Sequence, residues 1–234
     1  MSYKIGIIGA MEIEVESLKS QMNVTYKLEK ASMSFFEGTI GDTEVVVVKS
    51  GICKVNAALC VQILVDEFHV THVINTGAAG SLDARIDIGD FVVSTDAVYH
   101  DVNATVFGYK KGEIPQTGRL EFPADKWMID EIKIAAARAG IDGKLWEGRV
   151  CSGDQFISDS AVKDEIKKEF GGLCTEMEGA GIAHACFLNK VPFVILRAIS
   201  DKADGSDIMD YPEFEKKAAA DCAALTKCFI EGLK

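Results

Sequence analysis

Short apolar runs alternate with amphipathic stretches along this chain of 234 residues. The apolar runs are rich in β-branched residues, and several are continuous rather than alternating, which is typical of strands buried on both faces of a parallel sheet. We predict strands at 3–8, 44–49, 71–75, 91–94, 146–151 and 192–200. We predict helices at 12–21, 56–67, 125–139, 160–170, 178–189 and 211–234. This alternation of strands and helices predicts an α/β fold, a three-layer α/β/α sandwich.

Two segments depart from the simple alternation. Segment 24–49 is strand-rich, with Gly38 and the pair Gly41-Asp42 as predicted turns, so we expect the central sheet to be mixed. Segment 101–123 is irregular and glycine-containing, and a loop of that length commonly serves a binding site or an interface. Because no repeat or flexible linker divides the chain, we predict a single domain over residues 1–234.

The charge balance narrows the possible partners. Thirty-six acidic residues against 25 basic ones give a net charge of -11, which argues against binding to nucleic acid or to an anionic membrane surface. A small nucleoside without phosphate remains compatible with this charge. No run of about 18 apolar residues suggests a membrane span. The N-terminal residues lack signal-peptide anatomy, and the seven cysteines include no C-x-x-C, so we expect a cytoplasmic protein.

Glycines and carboxylates recur where the predicted strands end. In open α/β sheets a ligand binds beyond the carboxyl ends of the strands, so these segments should meet at one site. They are 9–14, 76–80, 152–157, 175–179 and 197–201. No phosphate-binding glycine loop is present, and His69 and His72 lack an obvious third ligand, so we predict no metal site.

The five segments together resemble a known family. The motifs are Gly-Ala-Met-x-x-Glu, Asn-Thr-Gly-x-Ala-Gly, Ser-Gly-Asp-x-Phe-Ile, Glu-Met-Glu and Arg-Ala-Ile-Ser-Asp, which begin at residues 9, 75, 152, 176 and 197. In this order, over nearly the whole chain, they are similar to the 5′-methylthioadenosine/S-adenosylhomocysteine nucleosidases of the nucleoside phosphorylase superfamily. The resemblance implies hydrolysis of the adenine–ribose bond of these substrates and of 5′-deoxyadenosine, with water, without a cofactor, by a homodimer.

The resemblance also implies a role for each polar residue in the motifs. Asp201 matches the general acid that protonates adenine, for which its pKa must be raised; from the residues alone, a capping role is equally open. Glu178 matches the acceptor for both ribose hydroxyls, although a first-turn glutamate also suits a helix dipole. Glu14 matches the residue that orients the attacking water, with Glu12 and Glu16 as rivals. Arg197 is expected to pair with Glu14.

The remaining expected contacts surround the nucleoside. Phe156 would stack on adenine while the backbone of Ile157 reads its edge, and Met177 would pack on the ribose. Glycines 77 and 80 would let the chain approach the nucleoside closely. The resemblance also places Ala78 and Ser200 at the nucleoside, and Ala78 departs from the serine that many relatives carry, which removes one hydrogen bond. An apolar slot for the 5′ group is expected from Ile52, Val102, Phe107, Tyr211 and Phe214, closed by segment 101–123 of a dimer partner.

Three other functions remain open at this stage. A phosphate-dependent purine nucleoside phosphorylase would share the fold but needs basic residues around its phosphate. An aminodeoxyfutalosine nucleosidase would share the motifs. A nucleoside-binding protein without catalysis would share the pocket alone.

Overall fold

The computed structural model describes residues 3–205 and 211–233 of the chain. The strands in these ranges are β1 (Lys4–Gly9), β2 (Asn23–Lys30), β3 (Met33–Ile40), β4 (Thr43–Lys49), β5 (His72–Ser81), β6 (Phe91–Tyr99), β7 (Glu121–Pro123), β8 (Leu145–Ser152), β9 (Cys174–Glu176) and β10 (Phe193–Asp201). The helices are α1 (Glu12–Ser20), α2 (Lys54–Phe68), α3 (Lys126–Ala139), α4 (Ser160–Phe170), α5 (Gly179–Asn189) and α6 (Tyr211–Gly232). Each predicted strand and helix corresponds to one of these elements.

The strands form one mixed sheet that partly closes on itself. β1 lies parallel between β4 and β5, and β2, β3 and β4 are antiparallel neighbours. β10 is parallel to β5 and antiparallel to β6, while β8 and β9 connect β6 back to β5. Strands β5, β6, β8, β9 and β10 therefore form a closed ring. The predicted mixed sheet is confirmed, but the closure was not predicted because apolar runs do not encode which strands pair.

Helices cover both faces of the sheet. Ile5 and Ile7 of β1 point to one face, into a core shared with α1, α3 and α6. Ile8 points to the other face, into a core shared with α2 and α5. Since side chains alternate along a strand, both faces of β1 are buried, which explains its unbroken apolar sequence. The predicted three-layer α/β/α arrangement is confirmed.

Strand β5 continues through segment 76–80, although the sequence predicted that the strand ends at residue 75. Its backbone pairs with β10 as far as Gly80, with a bulge before Asp201. Gly77 serves a close approach rather than a turn, because a Cβ atom there would collide with the side chains of Glu14 and Arg197. The predicted end of the strand is therefore wrong, but the prediction that segment 76–80 lies at the site is correct.

The predicted turn at Gly38 is also wrong. Gly38 lies inside β3, where a Cβ atom would collide with the backbone oxygen of Asn23. The turn between β2 and β3 is instead at Ala31 and Ser32, with φ angles of 51° and 60°. Two left-handed residues suit a tight hairpin, but such turns usually carry Asn-Gly, so the sequence did not reveal it. The turn at Gly41-Asp42 is confirmed.

Segment 101–123 is irregular for most of its length. It contains a 3₁₀ helix (Thr105–Phe107) and ends in β7, which pairs with the edge of β6. None of the helices in the described ranges has both the length and the apolar character needed to cross a bilayer.

Candidate active site

A cavity opens where α1, β5, β9 and β10 come together. The described residues that line it are Ala10, Met11, Glu14, Ile52, Ala78, Ala79, Gly80, Gln155, Phe156, Ile157, Thr175, Glu176, Met177, Glu178, Ser200, Asp201 and Glu215. All five strand-end segments contribute to this wall. The prediction that they meet at one site is therefore confirmed.

Glu14 is the glutamate of α1 that faces the cavity. It is 2% exposed, whereas Glu12 and Glu16 are exposed and Glu12 pairs with Lys19 at 2.8 Å. At 3.6 residues per turn, Glu14 projects about 200° away from both Glu12 and Glu16, which share the opposite face of the helix. The structure places Glu14 at the cavity and the two rivals in solvent.

Three backbone N–H groups fix the carboxylate of Glu14. Oε2 accepts hydrogen bonds from Ala10 N–H at 2.7 Å and Met11 N–H at 3.0 Å, and Oε1 accepts one from Ala78 N–H at 3.1 Å. Burial raises the pKa of Glu14, while the charge of Arg197 and these N–H groups oppose the rise. The result is an oriented carboxylate that is a stronger base than an exposed one.

Glu178 precedes the first turn of α5 and is 5% exposed. Its Oε1 accepts a hydrogen bond from Cys53 N–H at 2.9 Å. Burial, aided by the negative charge of Glu176, raises the pKa of Glu178 to about 7, although Arg197 and the Cys53 N–H lower it. This carboxylate therefore changes its charge close to neutral pH.

Arg197 lies behind the cavity wall and is 1% exposed. Its Nη2 donates to Glu176 Oε2 and to Asn75 Oδ1, and it lies 3.8 Å from Glu178 Oε2. Burial by itself would lower the pKa of Arg197, but the charges of Glu176, Glu178 and Glu14 raise it above its usual value. The guanidinium is thus a permanent cation beneath a set of carboxylates.

The direct partner of Arg197 is not the one that was expected. Arg197 makes its direct ion pair with Glu176, and its guanidinium is not within ion-pair distance of Glu14, although its charge opposes the burial-induced rise in the pKa of that carboxyl. Glu176 and Glu178 are two residues apart, and this spacing places both side chains on the same side of an extended chain. The chain leaves the extended conformation only at Glu178, with φ −128° and ψ −39°, and both carboxylates face Arg197: Glu176 is bonded to it and Glu178 Oε2 lies 3.8 Å away.

Asp201 ends β10 at the mouth of the cavity. Its Oδ2 accepts a hydrogen bond from Ser200 Oγ at 2.9 Å, and its Oδ1 accepts one from Ala203 N–H at 2.7 Å. A Cβ atom on residue 80 would lie 2.7 Å from Asp201 Oδ1, so a glycine is required there. Asp201 therefore both caps the following turn, through the N–H of Ala203, and lines the cavity.

Phe156 and Ile157 lie on the loop that follows β8. Phe156 is 53% exposed, Ile157 is buried, and both line the cavity. Two aspartates fix this loop. Asp154 Oδ1 accepts a hydrogen bond from the backbone N–H of Lys54 at 3.0 Å. Asp101 Oδ2 accepts one from Lys54 Nζ at 2.6 Å and another from Asp154 N–H at 2.9 Å. This cluster joins the Phe156 loop to the start of α2.

The predicted apolar slot is only partly present in one chain. Ile52 lines the cavity, but Val102 packs against the core beneath α2 and α5, and Phe214 on α6 is partly buried outside the lining. Phe107 is 80% exposed on the 3₁₀ helix. The side chain of Tyr211 lies outside the described part of the structure.

Several lining residues were not predicted. Met11 and Gln155 lie within two of the five motifs, so a closer reading of the motif positions would have found them. Thr175 begins the predicted strand-end segment 175–179, whereas Glu215 had no comparable signal. Glu176 was visible in the Glu-Met-Glu motif but was given less weight than Glu178.

The cavity wall is acidic. Its charged residues are Glu14, Glu176, Glu178, Asp201 and Glu215, and none of the described lining residues is a lysine or an arginine. Among the described residues, no cluster of three or more His, Cys, Asp or Glu side chains is arranged to hold a metal ion. The site favours a ligand that is neutral or becomes positively charged.

Known proteins resemble this chain over almost its whole length. A sequence profile of the Phosphorylase superfamily matches residues 4–231. A 5′-methylthioadenosine/S-adenosylhomocysteine nucleosidase of Halalkalibacterium halodurans is 44% identical over 229 residues, which are 97% of each chain. The nucleosidase of Neisseria meningitidis in complex with methylthio-immucillin-A superposes with a TM-score of 0.93 at 38% identity, over 98% of this chain and 99% of that one. The nucleosidase of Streptococcus pneumoniae with a transition-state inhibitor gives 0.92 at 36% identity, over 99% and 100%.

The raised pKa of Glu178 predicts a pH-dependent stability. The folded chain holds a proton at Glu178 that the unfolded chain releases near pH 4.5, so this residue destabilises the fold increasingly as the pH rises from 4.5 to about 7. Glu178→Gln should gain stability relative to the parent by on the order of 2 kcal/mol between pH 5 and pH 8. Urea unfolding at both pH values measures this, with the exposed Glu16→Gln as the control. An equal difference at pH 5 and pH 8 would contradict the prediction.

Proposed function

The chain belongs to the phosphorylase superfamily and, within it, to the 5′-methylthioadenosine/S-adenosylhomocysteine nucleosidases, and we propose that the acidic cavity is its active site. The enzyme hydrolyses the N-glycosidic bond of 5′-methylthioadenosine and S-adenosylhomocysteine and releases adenine. The observation that carries our assignment of the site is the convergence of Glu14, Glu178 and Asp201 on one cavity whose described lining includes no lysine or arginine. We include 5′-deoxyadenosine among the proposed substrates.

Bond cleavage requires a leaving group that accepts a proton. We assign this donation to Asp201, which would protonate N7 of adenine as the bond to the ribose breaks. Its position at the cavity mouth, with Ser200 Oγ holding Oδ2, supports this assignment. Phe156 would stack on the adenine ring, and the backbone of Ile157 would bind its edge.

The ribose gains positive charge as adenine leaves. Glu178 would accept hydrogen bonds from both ribose hydroxyls, and its ionised form would stabilise the oxocarbenium-like ribose electrostatically. Met177 would pack on the ribose face, and Ala78 and Gly80 would form the wall beside it. The buried setting of Glu178 strengthens this interaction, since little water screens its charge.

Water then adds to the anomeric carbon. Glu14 would orient this water and take its proton, for which the fixed geometry and raised pKa of its carboxylate are suited. Arg197 does not line the cavity, so we assign it a positioning role through its carboxylate partners rather than contact with the reacting atoms. No lysine or arginine in the described wall offers a site for a phosphate dianion, which favours water as the nucleophile.

We also propose that the enzyme is a homodimer in the cytoplasm. Large apolar side chains are exposed on α2, on α5 and on the 3₁₀ helix. They are Val55 and Leu59 on α2, Leu188 on α5, and Val106 and Phe107 on the 3₁₀ helix. Exposed apolar side chains of this size favour a protein interface. Phe107, exposed on segment 101–123 of a partner, would complete the 5′ slot. The seven cysteines are free thiols, which suits a reducing compartment.

Replacement of Asp201 tests the catalytic assignment. Asp201→Asn keeps the shape of the side chain but has no acidic proton to donate, so we expect the rate of adenine release to fall about 10²–10⁴-fold. The dissociation constant for methylthioadenosine should change by about threefold or less, since the acid acts mainly in the transition state. Stopped assays of adenine release and calorimetry measure the two quantities. The exposed Asp142→Asn is the matched control. Unchanged turnover in Asp201→Asn, or wild-type adenine release that requires added phosphate, would refute the mechanism.

Charge placed on α2 tests the dimer. Leu59→Glu puts a carboxylate on a side chain that is 47% exposed in the single chain, and burying it between two subunits would be costly. We expect sedimentation to give two chains for the wild type and one for this variant. Val24→Glu on the edge strand β2, 44% exposed, is the control and should remain dimeric. A wild-type mass of one chain would disprove the proposal.

A further inference from the structure

Two carboxylates compete for one buried cation beside the cavity. Arg197 Nη2 makes a direct ion pair with Glu176 Oε2, while the nearest oxygen of Glu178 lies 3.8 Å away, beyond hydrogen-bond distance. All three side chains are at most 8% exposed, so little water is at hand to replace a lost ion-pair partner. Glu176 is therefore bonded to the guanidinium, and Glu178 is not.

Glu176 is held in place from several directions. Its Oε2 also accepts hydrogen bonds from Gly179 N–H at 2.7 Å and Glu178 N–H at 3.2 Å, at the N-terminus of α5. Its Oε1 accepts the hydroxyl of Ser152, whose Oγ in turn accepts Ala180 N–H at 2.7 Å. The helix N-terminus and the guanidinium thus fix this carboxylate together.

Glu178 is held on one side only. Its Oε1 accepts Cys53 N–H at 2.9 Å, whereas Oε2 accepts no hydrogen bond from the described residues, and the side chain lines the cavity. The charged or titratable groups that act on Glu178 are Glu176 on β9, Arg197 on β10, Glu14 on α1 and the backbone of Cys53 before α2. Of these, only Arg197 is a cation that could capture it.

We propose that Glu176 is a positioning residue that occupies Arg197 and thereby leaves Glu178 available to bind the ribose hydroxyls. A buried guanidinium requires a carboxylate partner. If Glu176 lost its charge, Arg197 would turn to Glu178, which is the next carboxylate at 3.8 Å. The ribose acceptor would then be consumed by an internal ion pair. This inference rests on the ribose-binding role proposed for Glu178.

Glu176→Gln tests the inference with two substrates, methylthioadenosine and its 3′-deoxy analogue, which lacks one ribose hydroxyl. A hydrogen bond to a charged group contributes enough to change kcat/KM by about 10–100-fold. We expect the wild type to prefer the complete ribose by such a factor, and Glu176→Gln to lose about tenfold or more of that preference, chiefly through KM for the complete substrate. The acidic limb of its pH profile should also move to lower pH, because Glu178 loses a neighbouring negative charge and gains a cation.

A double variant separates capture by Arg197 from structural damage. In Glu176→Gln/Arg197→Met no cation is left to capture Glu178, and a neutral buried pair is tolerated by a protein core. We expect this variant to regain most of the wild-type preference for the complete ribose. It also serves as the test should Glu176→Gln alone fail to fold.

The outcomes are distinguishable. If Glu178→Gln abolishes the preference while Glu176→Gln and the double variant both keep it, the inference about Glu176 is wrong and the role of Glu178 stands. If Glu178→Gln keeps the preference, the proposed ribose role fails and the inference fails with it. Equal loss on both substrates in Glu176→Gln, with an unmoved pH limb and no recovery in the double variant, would show a structural role only.

Discussion

The ion pair between Arg197 and Glu176 is the interaction on which the site depends. Arg197 is 1% exposed, and an unpaired charge buried so deeply would cost several kcal/mol. Its partners come from β5 and β9, and their own bonds reach β8 and the first turn of α5. One guanidinium therefore links four strands of the closed ring to the helix that presents Glu178.

The same cation makes an acidic cavity possible. Glu14 and Glu178 are both buried, and burial raises the pKa of each, so their ionised forms are destabilised in the fold. Backbone N–H groups and Arg197 offset part of this cost. The cavity therefore holds negative charge beside a substrate that is neutral when it binds and becomes positive when its bond breaks. Such a cavity binds the transition state more tightly than the substrate.

The sequence predicted the layers and the edge of the sheet that carries the site, because apolar runs and strand-end motifs are local. It selected Glu14 over Glu12 and Glu16 only through the family spacing, and the helical geometry agrees. It missed the partner of Arg197 and the importance of Glu176, since both depend on β5, β9 and β10 being neighbours, which no local pattern encodes. Glycines misled it for a related reason: Gly38 relieves a contact with the distant Asn23 rather than forming a turn, and Gly77 makes room for Glu14 and Arg197.

The central claim is that this cavity binds a cationic ribose better than a neutral one. The most direct measurement is calorimetry with two stable analogues of methylthioadenosine, one with a protonated nitrogen in the sugar ring and one with a neutral carbon there. We predict that the cationic analogue binds at least about tenfold more tightly, since a charged contact of this kind contributes roughly 1.5–3 kcal/mol. The preference should shrink in Glu178→Gln. Equal affinity of the wild type for the two analogues would contradict the account.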